Sequence, residues 1–235
     1  EFRAAMLSAK PVDRDAPLVE EILYGFNKLY QLGDPANYEP DPKDAFGPRA
    51  ARAGVRVEEM IYDALLEKDG KALLYHPLFN YEPGNLDHVK KMLEHPYTLH
   101  GLGDAGAHCG ALCDASFPTT LIQHWGRDRV RGDKIALQKL IAMQTRATAS
   151  QVGLNDRGLL KPGYRADVNV IDFERLTLHE PEVVYDLPAG GRRLVQRATG
   201  YEATIVAGKV AFCEGVSTGE LNGRLVRGAQ ADPAG

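Results

Sequence analysis

The spacing of apolar and polar positions changes character along the chain. In the first third it has a helical period: Leu18, Ile22, Leu23, Phe26 and Leu29 fall on one face, with Pro17 near the start and Gly33 beyond the end. A loop rich in Pro, Asp and Asn is expected over 33–48. A second amphipathic helix follows over 57–68, with Met60, Ile61, Ala64 and Leu65 inward and Gly70 as its stop. The texture then alternates. Short apolar runs at 71–76 and 98–102 read as strands, and 85–94 and 117–125 read as helices with one apolar side. That order is the order of parallel α/β units. Further helices are expected over 134–143 and 145–151. From residue 158 the period becomes two: 166–172, 193–197, 203–207 and 209–213 predict short strands, with Gly208-Lys209 as a tight turn. Pro162-Gly163 and Ala189-Gly190-Gly191 supply further turns. The expected fold class is therefore α/β, with a small antiparallel β unit appended.

Bulk properties narrow the partners. A net charge of −4 argues against nucleic acid as the main partner. No apolar run approaches the ~20 residues of a membrane span. Cys109, Cys113 and Cys213 form an odd set without the spacing of a disulfide framework, so a reducing, cytoplasmic compartment is expected. The first residues read as the interior of a helix, as at a cut end, rather than as a signal peptide. The last ones, 229–235, have nothing evident to pack and are expected to fray.

The candidate chemistry centres on Gly101-Leu-Gly-Asp-Ala-Gly-Ala-His-Cys-Gly110, a glycine-dense break after an expected strand. In parallel α/β sheets and barrels, chemistry sits at the C-terminal ends of strands. Asp104 thus stands where a general base or metal ligand belongs; the alternative is an Asp that caps the next helix. His76, at the end of the earlier strand, and His108, four residues past Asp104, are candidates to line the same mouth as substrate-binding residues. His88, His95, His100, His124 and His179 are assigned to surface or packing. A cage of Asp104, His108, Cys109 and Cys113 has zinc-compatible atoms but an unusual Cys-x-x-x-Cys spacing, and Cys109 and Cys113 read better as small buried residues. Gly101-x-Gly-x-x-Gly106 matches a dinucleotide fingerprint only formally, because it would put Asp104 inside a phosphate cradle. Ser116 or Thr119 is expected to cap the following helix. No two of the seven histidines form a His-x-His, and no Gly-x-Ser-x-Gly elbow is present.

Six segments together carry a resemblance: Gly103-Asp-Ala-Gly-Ala-His108, Cys113-Asp-Ala-Ser-Phe-Pro-Thr119, Gly153-Leu-Asn-Asp-Arg-Gly158, Leu160-Lys-Pro-Gly-Tyr-Arg-Ala-Asp167, Asp186-Leu-Pro-Ala-Gly190 and Val206-Ala-Gly-Lys-Val210. From about residue 70 to 228 the chain resembles the C-terminal part of the amidohydrolase superfamily, in its N-acyl-D-amino-acid deacylase (D-aminoacylase) branch. The resemblance implies the C-terminal portion of a (β/α)8 barrel over 1–153 and a small β-sandwich portion over 154–228. It implies zinc as cofactor, with Asp104 as catalytic proton acceptor and as a metal ligand if a second metal binds. The other zinc ligands would lie on earlier barrel strands. The implied substrate is a linear N-acyl amino acid, and the implied partner is the N-terminal part of the same protein, or else a second copy in a homo-oligomer. By itself the chain is expected to be inactive. Two rival readings are a cyclic-amide hydrolase and a non-catalytic assembly module.

Overall fold

The computed structural model describes residues 2–8, 24–101, 103, 106, 108–110 and 113–233. The chain forms two compact units, Glu1–Val89 and Lys90–Gly235. The first contains α1 (Phe2–Ser8), β1 (Tyr30–Gln31), α2 (Phe46–Ala53), α3 (Val57–Gly70) and β2 (Leu74–Tyr75). β1 and β2 pair antiparallel, with Tyr30 opposite Tyr75. Tyr30, Ala45 and Tyr81 form a buried core against which Tyr75 and Leu86 pack. The buried Glu39 carboxylate accepts the Leu86 N–H at 2.8 Å, which satisfies one of its oxygens away from water.

The helix read through Phe26 and Leu29 is a turn running into β1, while its earlier part at 18–23 lies outside the described residues. The carbonyls of Phe26 and Leu29 instead accept the N–H groups of Gly47 (2.8 Å) and Phe46 (2.9 Å). They supply partners for the start of α2, which begins inside the loop expected over 33–48, because a helix start has free N–H groups to satisfy. α3 forms as expected with Ala64 buried, but Leu65 is exposed. The 71–76 run yields an antiparallel pair rather than a barrel strand.

α4 (Asp87–Leu93) follows. Residues 98–101, expected as strand, belong to none, and Leu99 is exposed. A strand needs a neighbour for its N–H and C=O groups, and no described strand lies alongside. All ladders among the described strands are antiparallel, so the barrel part of the expectation is not among the described elements.

In the second unit, α5 (Phe117–Thr120) continues as a π-helix over Leu121–Asp128, followed by α6 (Leu137–Gln144) and α7 (Arg146–Gln151). Then come β3 (Val168–Ile171), β4 (Thr177–Leu187), β5 (Gly191–Thr199), β6 (Tyr201–Val206), β7 (Lys209–Cys213) and β8 (Val216–Ser217). They make a four-stranded sheet in the order β3-β6-β7-β8 and the separate hairpin β4-β5. Leu121, Ile122, Trp125, Ile135, Leu140, Leu176 and Leu178 are buried in this unit, and so is Arg129, whose guanidinium lies 4.8 Å over the Trp125 ring. The tight turn between β6 and β7 falls at Ala207-Gly208, with φ of 51° and 80°, one residue before its expected place. Both angles are those of a type I′ turn, which matches the twist of the flanking strands.

The described part of the segment expected to fray, 229–233, is held. Gln230 N–H donates to the Gly153 carbonyl at 2.7 Å, and Asp232 accepts from Arg146 (3.1 Å) and from the Tyr164 hydroxyl (2.5 Å). Among the described residues no helix is long and apolar enough to cross a membrane.

Gly200, between β5 and β6, has φ +95°, and a Cβ there would stand 2.6 Å from Leu176 Cα. Gly208 has φ +80° with open space around it. Gly200→Ala is therefore predicted to destabilise by about 2–4 kcal/mol, through strain plus clash, and Gly208→Ala by only about 1 kcal/mol, through strain alone. Denaturant unfolding checks this; equal losses would contradict the close approach of Gly200 to Leu176.

Candidate functional site

The site region is built on the helix that begins at Phe117. Four of its polar residues, spaced by three, four and four, face the β structure. The Ser116 hydroxyl, at the N-cap position, donates to Gln196 Oε1 on β5 at 2.5 Å, and Thr119 Oγ1 bonds the Tyr201 hydroxyl on β6 at 2.8 Å. Gln123 Oε1 accepts the Leu178 N–H of β4 at 2.7 Å. Arg127 donates to three carbonyls just before β4, those of Phe173, Glu174 (2.8 Å) and Leu176 (2.7 Å). Neither Ser116 nor Thr119 makes the expected cap hydrogen bond; both hydroxyls serve tertiary contacts instead. Asp128 braces Arg127 at 2.5 Å, and that bond holds the Asp128 carboxyl below its usual range while raising the Arg127 guanidinium further.

Just upstream, the glycine segment is tied on both sides of Asp104. Gly103 packs on the 3-10 turn Asp114–Ser116: a Cβ at Gly103 would stand 3.1 Å from both the Asp114 carbonyl and its Oδ1. On the other side, the Cys109 carbonyl accepts the Leu194 N–H from β5 at 2.8 Å. Gly101 and Gly106 have φ of 152° and 97°, conformations that glycine adopts readily and other residues do not. Asp104 itself lies outside the described residues.

His108 is exposed in the second unit, with φ 49°. His76 is half-buried directly after β2, in the first unit. Cys109 and Cys113 are half-buried free thiols rather than fully buried residues. Burial pushes the Cys113 thiol up, and the Asp114 charge adds to the effect. One residue that the sequence assigned to surface or packing stands out. His100, at the head of the segment, packs tilted against the Phe117 ring at 5.7 Å between centroids, with Nε2 buried and without a hydrogen-bond partner among the described residues. Burial lowers its pKa, so the ring is neutral. Nothing in the sequence around His100 signals this, because the burial comes from the tertiary packing of Phe117.

Other motif residues are scaffolding. Asp167 accepts from Arg165 (2.7 Å) and from the Ala207 N–H in the β6-β7 turn (2.8 Å), while Asp156 holds Arg157 at 2.8 Å. Asp186 pairs with Arg193 at 2.7 Å across the β4-β5 hairpin. These contacts tie the turns together.

The model of the amidohydrolase family matches residues 39–212, well over half of the chain, and the chain belongs to that family. Membership supports hydrolysis of C–N bonds, and members are typically metal-dependent. Among the described residues no group of three or more His, Cys, Asp or Glu side chains can hold a metal ion, so these residues alone do not fit a metal centre. No curated protein and no solved structure matches the chain.

The half-buried His100 gives a pH prediction. Its pKa is lowered by burial from the ordinary 6.5, so as the pH falls the unfolded chain takes up this proton first. Stability is intact above about pH 6.5 and is lost as the pH falls through it. Unfolding free energies of the unaltered chain and His100→Phe, measured at about pH 7.5 and 5, are expected to fall less for the variant. An identical fall would show that His100 is not buried in its neutral form.

Proposed function

We propose that the chain is the C-terminal part of a zinc-dependent, cytoplasmic amidohydrolase that cleaves the linear amide of N-acyl-D-amino acids. The observation that carries this reading is the family match together with the Gly103-Asp-Ala-Gly-Ala-His108 motif, whose flanks are fixed by Asp114 on one side and Leu194 on the other. In the proposed reaction, water adds to the acyl carbon and the C–N bond breaks. The Asp104 carboxylate takes the water's proton and delivers it to the departing nitrogen, so the products are a carboxylate and a free amino acid. A carboxylate suits both tasks because it accepts a proton in one step and returns it in the next. Exposed His108, four residues on, is proposed to meet the substrate carboxylate. Zinc enters on the resemblance alone, with its ligands on earlier barrel strands.

The test is release of free amine from N-acetyl-D-amino acids by the complete gene product. Asp104→Asn is predicted to lower kcat by at least about 100-fold with an unchanged circular dichroism spectrum. Activity within threefold of the parent would remove Asp104 from the chemistry. Turnover of cyclic amides with none of linear ones would overturn the substrate class.

A further inference from the structure

The terminal segment grips three parts of the second unit at once. Gln230 pairs in parallel with Leu154: its N–H donates to the Gly153 carbonyl at 2.7 Å, and its carbonyl accepts the Asn155 N–H at 3.3 Å. Two residues on, the Asp232 carboxylate takes Arg146 of α7 on one oxygen (3.1 Å) and the Tyr164 hydroxyl on the other (2.5 Å). Arg146 in turn holds the Asn155 carbonyl at 2.9 Å, and its guanidinium lies 5.8 Å over the Tyr164 ring. Ala229 and Pro233 close against Gly153 and Gly163, where an added Cβ would stand 3.0 and 3.2 Å from their Cβ atoms. Residues 229–233 thus bridge both ends of the 153–164 loop and the helix before it. The stretch leading to them is different. Among the described residues, no hydrogen bond or ion pair joins 221–228 to anything but Gln230, and Leu221 and Leu225 are exposed.

We propose that residues 229–233 are a releasable strap: seated, it locks the 153–164 loop, and lifted on the slack 221–228 arm, it frees that loop as a unit. Arg146 couples the two, because one guanidinium holds Asp232 through Nη2 and the Asn155 carbonyl through Nη1. Once Asp232 leaves, the guanidinium can turn, and the loop loses its brace together with the strap. Ionic strength biases the switch. The Arg146 and Asp232 side chains are 29% and 38% exposed, so salt reaches the pair and screens it. The loop also has a tie of its own, from the Arg165 N–H to the Asp156 carbonyl at 2.8 Å, which involves no strap residue. That bond reports whether release of the strap reaches through the loop. The inference is independent of the reaction proposed above, and its test needs only this chain.

Amide hydrogen exchange of the 235-residue chain, read by NMR, tests it. Asp232→Ala is predicted to speed exchange of the Asn155 and Arg165 N–H groups together, by about tenfold, while the β6-β7 ladder keeps its protection. Tyr164→Phe, which removes only the hydroxyl, is predicted to speed the same two groups about threefold. The double variant is expected to match Asp232→Ala, since the hydroxyl acts through that carboxylate. Raising the salt from about 0.05 to 1 M is predicted to speed both groups about two- to fivefold in the unaltered chain and to leave the Asp232→Ala variant unchanged. Faster exchange at Asn155 with Arg165 unchanged would overturn the proposal, because the segment would then be a passive tail. So would unchanged exchange at both, equal acceleration of the β6-β7 ladder, or a salt response that persists in Asp232→Ala.

Discussion

The second unit depends on one polar stripe, Ser116, Thr119, Gln123 and Arg127, that binds a helix to three parts of the β structure at once. Each residue meets a different partner: Gln196 on β5, Tyr201 on β6, the Leu178 N–H of β4, and the carbonyls of Phe173–Leu176. A single net hydrogen bond is worth only about 1 kcal/mol, but a buried donor or acceptor left unmet costs about 1–3. The stripe therefore acts less as glue than as a specification. Apolar burial of Leu121, Ile122 and Trp125 drives the helix onto the β structure, and the polar partners admit one register. The π geometry over Leu121–Asp128 fits this role, because π-turns re-aim side chains and occur often at functional sites.

That arrangement explains what could and could not be read from the sequence. Where apolar period and element coincide, as in α3, α6, α7 and the β6-β7 hairpin, the pattern was legible. β4 was not: Glu180, Pro181 and Glu182 break the alternation, and the ladder shifts register between Leu178 and Pro181. α2 was hidden because its start is satisfied by Phe26 and Leu29, some twenty residues away in sequence. The terminal segment looked unanchored for the same reason, since its partner Arg146 lies 86 positions from Asp232. Ser116 and Thr119 read locally as caps; only the tertiary structure shows that their hydroxyls bind β5 and β6.

The site was legible in part. The glycine-flanked Asp104 motif is a local signal, and the family match over 39–212 agrees with the amidohydrolase class that the six motifs together suggested. His100 and Gln196 carry no such signal, since the burial of one and the bonds of the other arise from residues distant in sequence. Among the motifs that carried the resemblance, the Asn-Asp-Arg-Gly, Arg-Ala-Asp and Asp-Leu-Pro-Ala-Gly segments form ion pairs and turn contacts that brace the β unit.

The central claim is that a carboxylate on the glycine segment moves a proton between water and a leaving amine. A crystal structure of the complete gene product with a bound N-acetyl-D-amino acid examines it most directly. The account predicts the Asp104 carboxylate within about 3.2 Å of the amide nitrogen, or one water away from it. An Asp104 turned into backbone N–H groups, with no opening beside it, would contradict the account.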